Sequence, residues 1–452
     1  MFHLDNAYFI EHLRIASHRC RTHTVSNTAF RGFGGPQGML VIENIIDAIA
    51  RHLGRDPLRI RWRNYYGGPG RDVTHYGQQV TGNPIARITD RLEASSDYHA
   101  RRAAVRNWNA AQGVIRRGIA LTPVKFGISF TSTLFNQAGA LLQVYTDGSV
   151  LLNHGGTEMG QGLHIKVAQV VATELGLPLS AIRISATDTS KVPNTSATAA
   201  SSGSDLNGMA ARAAAATLRE RLTQLVAAQH GVDPAEVRFA EGHVEFGRQR
   251  IPFAQLAREA HAARISLSAT GFYRTPEIHW DKHNWTGRPF YYYAWGAAVS
   301  EVALDTLTGE SRLLRVDILH DAGRSLNPAI DLGQVEGGFL QGLGWLTSEK
   351  LWWDPQGRLR THAPSTYKIP TARDWPHEAH IQLLADTPNP EATIHRSKAV
   401  GEPPLMLAIS AFQALRDAVA SCGPADCQVD LEAPATPEAL LQAIRRVRAG
   451  AP

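Results

Sequence analysis

"ALLQVYTDGSVLLNHGGTEMGQGLHIKVAQVVATELG", residues 140–176, changes its hydrophobic period halfway along. Up to His154 it reads as two short strands joined by Asp147-Gly148, a strong hairpin signal. "GTEMGQG" then opens a stretch in which Leu163, Val167, Val170, Val171 and Leu175 share one helical face, ended by Gly176. Hairpin, glycine turn and amphipathic helix form one unit, and the chain on either side reuses its parts.

Toward the N-terminus, "FRGFGGPQG" (30–38) is a tight glycine turn. Behind it Met39, Leu40, Ile42, Ile45, Ile46, Ile49 and Leu53 recur at helical spacing, and Gly54 can stop the helix. Residues 65–80 are glycine-rich and aromatic, which predicts a loop. A polar helical stretch follows over 84–112, and then the pattern turns to strands. Toward the C-terminus a strand near 181–186 leads into "NTSATAASSGSDLNGMAARAAAA" (194–216), a small-residue loop feeding a helix. "EVALDTLTGESRLLRVDILHD" (301–321) predicts a hairpin turning at Thr308-Gly309. "NPAIDLGQVEGGFLQGLGW" (327–345) predicts a glycine-studded helix that another backbone or a ligand can approach closely. The last helix begins near Thr436-Pro437. There is no clean βαβ rhythm and no short-period repeat. The class is α+β, mixed sheets with helices following glycine-rich turns.

Composition narrows the function. A chain of 452 residues is long enough for two or three domains, and 43% hydrophobic residues is an ordinary globular value. The net charge of +5 is thinly spread, with no basic stripe interleaved with aromatics, so nucleic acid is not an expected partner. Cys20, Cys422 and Cys427 form no CxxC pair, so this chain alone builds neither an iron–sulfur cluster nor a cysteine-rich zinc site. They also argue against a secreted disulfide scaffold. The N-terminus lacks a basic segment followed by an apolar run, and no window approaches the ~20 apolar residues that cross a bilayer. The expectation is a soluble cytoplasmic protein without a membrane partner.

"FRGFGG", "GTEMGQG" and "TAASSGSD" share one design, small residues and then a helix start. Unpaired N–H groups and the positive end of the helix dipole make such turns anion sites. The usual nucleotide grammar is missing: "GFGGPQ" breaks G-x-G-x-x-G at its last position, and no phosphate-binding loop with Lys-Ser/Thr exists. In "HWDKHNW", His279 and His283 lack a helical pattern and read as a loop, not a ligand pair. One acid stands apart. In "SKAVGEPPLMLAISAF" (397–412), Glu402 precedes Pro403-Pro404 at the mouth of an apolar helix. It is either a capping acid or a base held for chemistry. An apolar pocket would raise its pKa and the helix N-terminus would lower it.

"SNTAFRGFGGPQG", "FGISFT", "GGTEMGQG", "PNTSATAAS", "GQVEGGFLQGLG", "PSTYKIP" and "SKAVGEPPL", in this order, resemble the molybdenum-binding portion of the xanthine dehydrogenases. The likeness runs from the start to about residue 425. The wider family includes aldehyde oxidases and other molybdenum hydroxylases. The resemblance implies a molybdenum ion held by the dithiolene of a pterin (molybdopterin), often with a nucleotide attached. It places Arg31 and Ala200 near the metal, not as side-chain ligands. Met159, Gly160, Gln161, Ser201 and Gln334 would contact the cofactor. Phe33 and Phe130 would sandwich a flat heterocycle, and Thr131 would hydrogen-bond it. Glu402 would be the general base, taking the proton from the hydroxyl that attacks an electron-poor carbon of the purine. The implied reaction is hydroxylation of hypoxanthine and xanthine to urate, with water as the oxygen source.

The resemblance also divides the chain into residues 1–82, the remainder of a first molybdopterin-binding domain, and 83–452, a second. In the family, several hundred residues precede "FHLDNAY". They carry a "GGGFGGKE"-like motif and a Glu and an Arg that orient the purine. The expectation is a chain that holds the base and one wall of the site, oligomerises, and works with partner chains or domains. Those supply the other wall, the iron–sulfur clusters, FAD and the route to NAD. The alternatives are an aldehyde-oxidase-like piece or a non-catalytic remnant.

Overall fold

The computed structural model describes residues 1–192 and 194–450; Pro193, which opens the "PNTSATAAS" motif, lies outside the described residues. In chain order the helices are α1 (Gly35–His52), α2 (Pro57–Asn64), α3 (Ile85–Ser95), α4 (Tyr98–Ala111), α5 (Leu163–Leu175), α6 (Gly203–His230), α7 (Phe253–Ala262), α8 (Pro328–Thr347), α9 (Pro403–Met406), α10 (Ile409–Ala420) and α11 (Pro437–Ala449). The strands are β1 (Ile115–Ile128), β2 (Gln137–Val144), β3 (Val150–His154), β4 (Ile182–Ile184), β5 (Arg238–Ala240), β6 (His243–Phe246), β7 (Gln249–Pro252), β8 (Ser268–Arg274), β9 (His279–Asp281), β10 (Thr286–Arg288), β11 (Tyr292–Asp305), β12 (Ser311–His320) and β13 (Glu378–Leu383).

β1 carries the start of "FGISFT" and is buried without interruption from Gly118 to Ile128. Both of its faces are therefore covered, and a period of two sorts its side chains between them. Ala120, Val124, Phe126 and Ile128 enter one core with α8, α9, α10 and α11. Ile119 and Leu121 enter another with Ala7, Leu58, Ile88 and Val105. β11 pairs antiparallel with β1 along its whole length and is sorted the same way. The sheet order is β1-β11-β12-β13, with β13 parallel to β12. A second sheet, β4-β3-β2-β8, holds the 140–154 hairpin in register Ala140↔His154 to Val144↔Val150. α5 and α6 pack on it around a third core.

α10 lies directly on β1. A methyl group at Gly118 would sit 1.9 Å from the Ala414 carbonyl oxygen and 2.6 Å from the Ala418 nitrogen, both backbone atoms. Gly118→Ala must push helix from strand, and overpacking of this kind costs about 1–3 kcal/mol. The expected result is a lowered urea midpoint with an unchanged slope; an unshifted midpoint would mean that α10 floats off β1 freely.

Four expectations need correction. The 84–112 stretch is two helices, α3 and α4, because Asp97 turns left-handed (φ 52°) between them. In α1, Met39, Ile42 and Ile46 are buried, but Ile45, Ile49 and Leu53 join Val41 on an exposed face. The helix is apolar on two sides and only one meets the core. The helix after Glu402 is the short α9, then α10 after a break at Leu407-Ala408. His279 lies in a strand, paired through β9 with β10, and not in a loop. Among the described residues no helix is long and apolar enough to cross a membrane.

Candidate active site

The turn before α1 and the loop before α6 meet at Glu402. The first contains Gly32 and Gly34 at positive φ, where glycine costs least, but also Ala29 (φ 64°) and Phe33 (φ 45°). The second contains Ala200 (φ 54°) and Ser201 (φ 57°). Left-handed non-glycine residues cost roughly 1–3 kcal/mol each and persist where the surroundings over-determine them, most often at functional sites.

Glu402 stands at the N-cap position of α9, yet its side chain makes no capping bond. It turns to the two loops instead. One carboxylate oxygen accepts the Gly32 N–H at 3.1 Å. The other accepts the Ser201 hydroxyl at 2.7 Å, and the Glu402 N–H donates back to Ser201 Oγ at 2.8 Å. Arg31 Nε donates to the Gly401 carbonyl at 2.6 Å and Nη1 to Gln341 Oε1 at 3.1 Å. Arg31 Nη2 is buried with no partner among the described residues. Of the opposing effects on Glu402, burial wins. It pushes the carboxyl above its ordinary value, against the pull of Ser201, Gly32 and Arg31. Burial likewise lowers the Arg31 pKa, opposed by Glu402.

The glycines of α8 make room for this arrangement. A methyl group at Gly338 would meet Pro404 Cβ at 2.7 Å and Arg31 Nη2 at 3.1 Å, and one at Gly342 would meet the Leu405 carbonyl oxygen at 2.1 Å. The close approach expected of this helix is thus to α9 and Arg31. Gln334 and Gln341 flank Gly338 on the same helical face, at four and three residues. The resemblance pointed to Gln334 and missed Gln341, whose i+7 spacing from Gln334 was the available signal.

The "GTEMGQG" turn is built differently from the expectation of free donors. Gly160, Gly162 and His164 all donate their N–H groups to the Glu158 carboxylate, at 2.9, 2.9 and 3.0 Å. These bonds hold Glu158 below the usual carboxylate range although its partial burial works the other way. The anion at the start of α5 is the chain's own. The Gln161 side chain is also engaged within the turn, with the Met159 N–H and the Thr157 carbonyl. Met159 itself is 67% exposed. The turn abuts the α6 loop through the Thr157 N–H to Thr198 Oγ1 bond, 2.9 Å.

Phe33 is 76% exposed and, among the described residues, pairs with no other aromatic ring. Phe130 is partly buried at the end of β1 beside Phe135, centroids 5.6 Å apart. Its backbone is locked by Asn136, which accepts its N–H and donates to its carbonyl at 2.8 Å each. Thr131 follows, partly exposed.

No group of three or more His, Cys, Asp or Glu among the described residues could hold a metal ion. What the site offers is an unpartnered guanidinium nitrogen, amide side chains and strained backbone around one held carboxylate. Such a donor set fits a group that brings its own metal ligands, as a pterin dithiolene does, and it defines a binding domain for an organic metal cofactor. Residues 91–376 match the family model described as molybdopterin cofactor-binding domain, and residues 1–65 match a second model of that description. The chain belongs to the molybdopterin cofactor-binding domain family.

The chain is similar to xanthine dehydrogenase/oxidase of Felis catus, 46% identical over 449 residues, 98% of this chain and 32% of that protein. It is similar to xanthine dehydrogenase of Dictyostelium discoideum, 45% identical over 97% of this chain and 31% of that protein. It spans about a third of the length of these curated relatives. Among solved structures, quinoline 2-oxidoreductase from Pseudomonas putida 86 superposes with a TM-score of 0.79, at 26% identity over 93% of this chain and 53% of that one.

Proposed function

We propose that this chain is the C-terminal molybdenum-cofactor-binding part of a xanthine-dehydrogenase-type hydroxylase, acting on hypoxanthine and xanthine. The observation that carries the proposal is Glu402: a part-buried carboxylate with a raised pKa, held by two strained turns and excused from helix capping. The similarity to xanthine dehydrogenases over 98% of the chain supports the substrate class. When bound, a molybdenum–pterin supplies an electrophilic metal that accepts two electrons from the substrate, the oxygen coming from water.

The chain's residues supply the rest. Arg31, oriented by Gly401 and Gln341, would lie beside the cofactor together with Ala200, Ser201 and Gln334. Met159, Gly160 and Gln161 present an exposed turn to the same group. Phe33 and Phe130 bracket a planar ring, and Thr131 bonds its edge. Glu402 accepts the proton of the attacking hydroxyl on a carboxylate oxygen, within reach because Ser201 and Gly32 fix its rotamer. Iron–sulfur and flavin groups, and NAD, would belong to other chains or domains and would take up the electrons there. Residues 1–82 and 83–452 act as parts of two cofactor-binding domains that close the site together with an upstream half.

The test is Phe130→Ala in the assembled, cofactor-replete enzyme. An aromatic contact contributes about 0.5–1.5 kcal/mol beyond buried area, roughly 2- to 12-fold in rate. Xanthine turnover should fall by at least that factor while oxidation of a small aliphatic aldehyde changes little. Equal losses on both would assign the ring to structure and favour an aldehyde-oxidase-like activity.

A further inference from the structure

The segment that carries Glu402, residues 397–402, has no regular secondary structure. Its position is set by contacts from elsewhere in the chain, backbone and side chain together. Lys398 is fixed twice: its N–H donates to the Ala322 carbonyl at 2.8 Å, and its buried Nζ reaches Asp321 Oδ2 at 2.5 Å. The next residue is held by a tyrosine. Tyr292, the first residue of β11, accepts the Ala399 N–H on its hydroxyl oxygen at 2.9 Å. The same hydroxyl donates to Asp205 Oδ2 at 2.7 Å. Tyr292 is 4% exposed and Asp205 7%, so water does not compete for these bonds.

Asp205 lies in the first turn of α6, four residues after Ser201, which holds the Glu402 carboxylate. The contacts therefore close a ring. From Ser201 it runs to Glu402, back three residues to Ala399, through Tyr292 to Asp205, and back through the start of α6 and the loop before it to Ser201. α6 and the loop that leads into it hold the segment at two points, Asp205 and Ser201, and three residues can span at most about 11 Å. Burial pushes the Asp205 carboxyl up to about 7, while the Tyr292 hydrogen bond and Lys166 of α5 pull the other way. A carboxyl kept at such a cost in solvation needs a function in holding the fold or the site.

We propose that Tyr292 and Asp205 are positioning residues for Glu402: through the Ala399 amide they fix the segment that holds its carboxylate. The proposal rests on Glu402 being the base of the reaction. Neither residue touches substrate or cofactor in this account. Without the tyrosine hydroxyl, Ala399 loses its acceptor and the stretch between Lys398 and Gly401 is free to shift. Glu402 then becomes better hydrated, and its pKa falls back toward the ordinary carboxylate value, with only Arg31, Gly32 and Ser201 still facing it.

The test uses Tyr292→Phe and Asp205→Asn in the assembled, cofactor-replete enzyme, with two readouts. The first is hydrogen exchange by mass spectrometry. Peptides covering 397–402 should exchange at least about 10-fold faster in Tyr292→Phe, with β11 and α6 unchanged. The second is the pH profile. kcat should fall several-fold with KM within two-fold, and its acid limb should move to lower pH. Asp205→Asn, which keeps the shape and an acceptor, should give the same pattern in weaker form. Unchanged exchange at 397–402, or an acid limb that stays in place, overturns the proposal. The exchange readout needs no turnover, so a failure of the base assignment, seen separately as full activity in Glu402→Gln, is not mistaken for a failure of the tie.

Discussion

Glu402→Gln in the assembled, cofactor-replete enzyme lowers the rate of reduction by xanthine by about 10²–10⁴, the usual contribution of a general base. Glutamine is nearly isosteric. It keeps an oxygen for the Gly32 N–H or the Ser201 hydroxyl, so folding and cofactor content should hold. What it loses is the capacity to take a proton. That interaction exists only in the transition state, so kcat and kcat/KM fall together. The wild-type profile carries a second signature. A base works ionised, and burial raises the Glu402 pKa. The rate must therefore rise with pH through a value above the ordinary carboxylate range, and this limb disappears in the variant. The same shift has a stability sign. The folded state keeps the proton longer than the unfolded chain, so this group's contribution to stability falls as pH rises from the unfolded to the folded pKa. Stopped-flow reduction by xanthine across pH measures the rate loss and the limb, and urea unfolding across pH measures the stability sign. A variant within a few-fold of wild type would make Glu402 a structural acid.

Asp5→Ala destabilises the chain by about 3–5 kcal/mol, the cost of leaving a buried charge without its partner. Lys125 is 1% exposed, near the C-terminal end of β1, with its Nζ 2.7 Å from Asp5 Oδ2. It sits between the rings of Tyr66 and Tyr293, 4.4 and 4.8 Å from their centroids. Asp5 Oδ2 also accepts the Tyr66 hydroxyl at 2.6 Å. Burial lowers the Lys125 pKa and Asp5 opposes it, so removal of the acid leaves a cation in an apolar setting. Lys125→Met together with Asp5→Ala should recover much of the loss, because the pair is then gone as a unit. Urea unfolding of the single and double variants reads the coupling directly. A single variant within about 1 kcal/mol of wild type would mean that water reaches Lys125.

The 140–154 hairpin and the α+β class follow from a change of period that needs no tertiary information. The starts of α1, α5 and α6 follow from small residues before an apolar face. Other features were not local. α1 is apolar on two sides, and only its packing against α2, α9 and α10 decides that Ile42 and not Ile45 is covered. Glu158 fills the anion site of its own turn, a choice made by side-chain rotamer and invisible to spacing. Gln341 emerges only because Gly338 lets Arg31 lie against α8.

By itself the sequence determined the kinds of element, their order and the motifs of the family, because those depend on residues within a few positions of one another. It also marked Glu402 as an acid on a stiff backbone. Only the tertiary structure decided what that acid does with its oxygens and which way its pKa moves. Its partners Ser201 and Gly32 lie 201 and 370 residues away in the chain. Burial and hydrogen bonding at a site are sums over neighbours in space, and no local period encodes which distant loops will supply them.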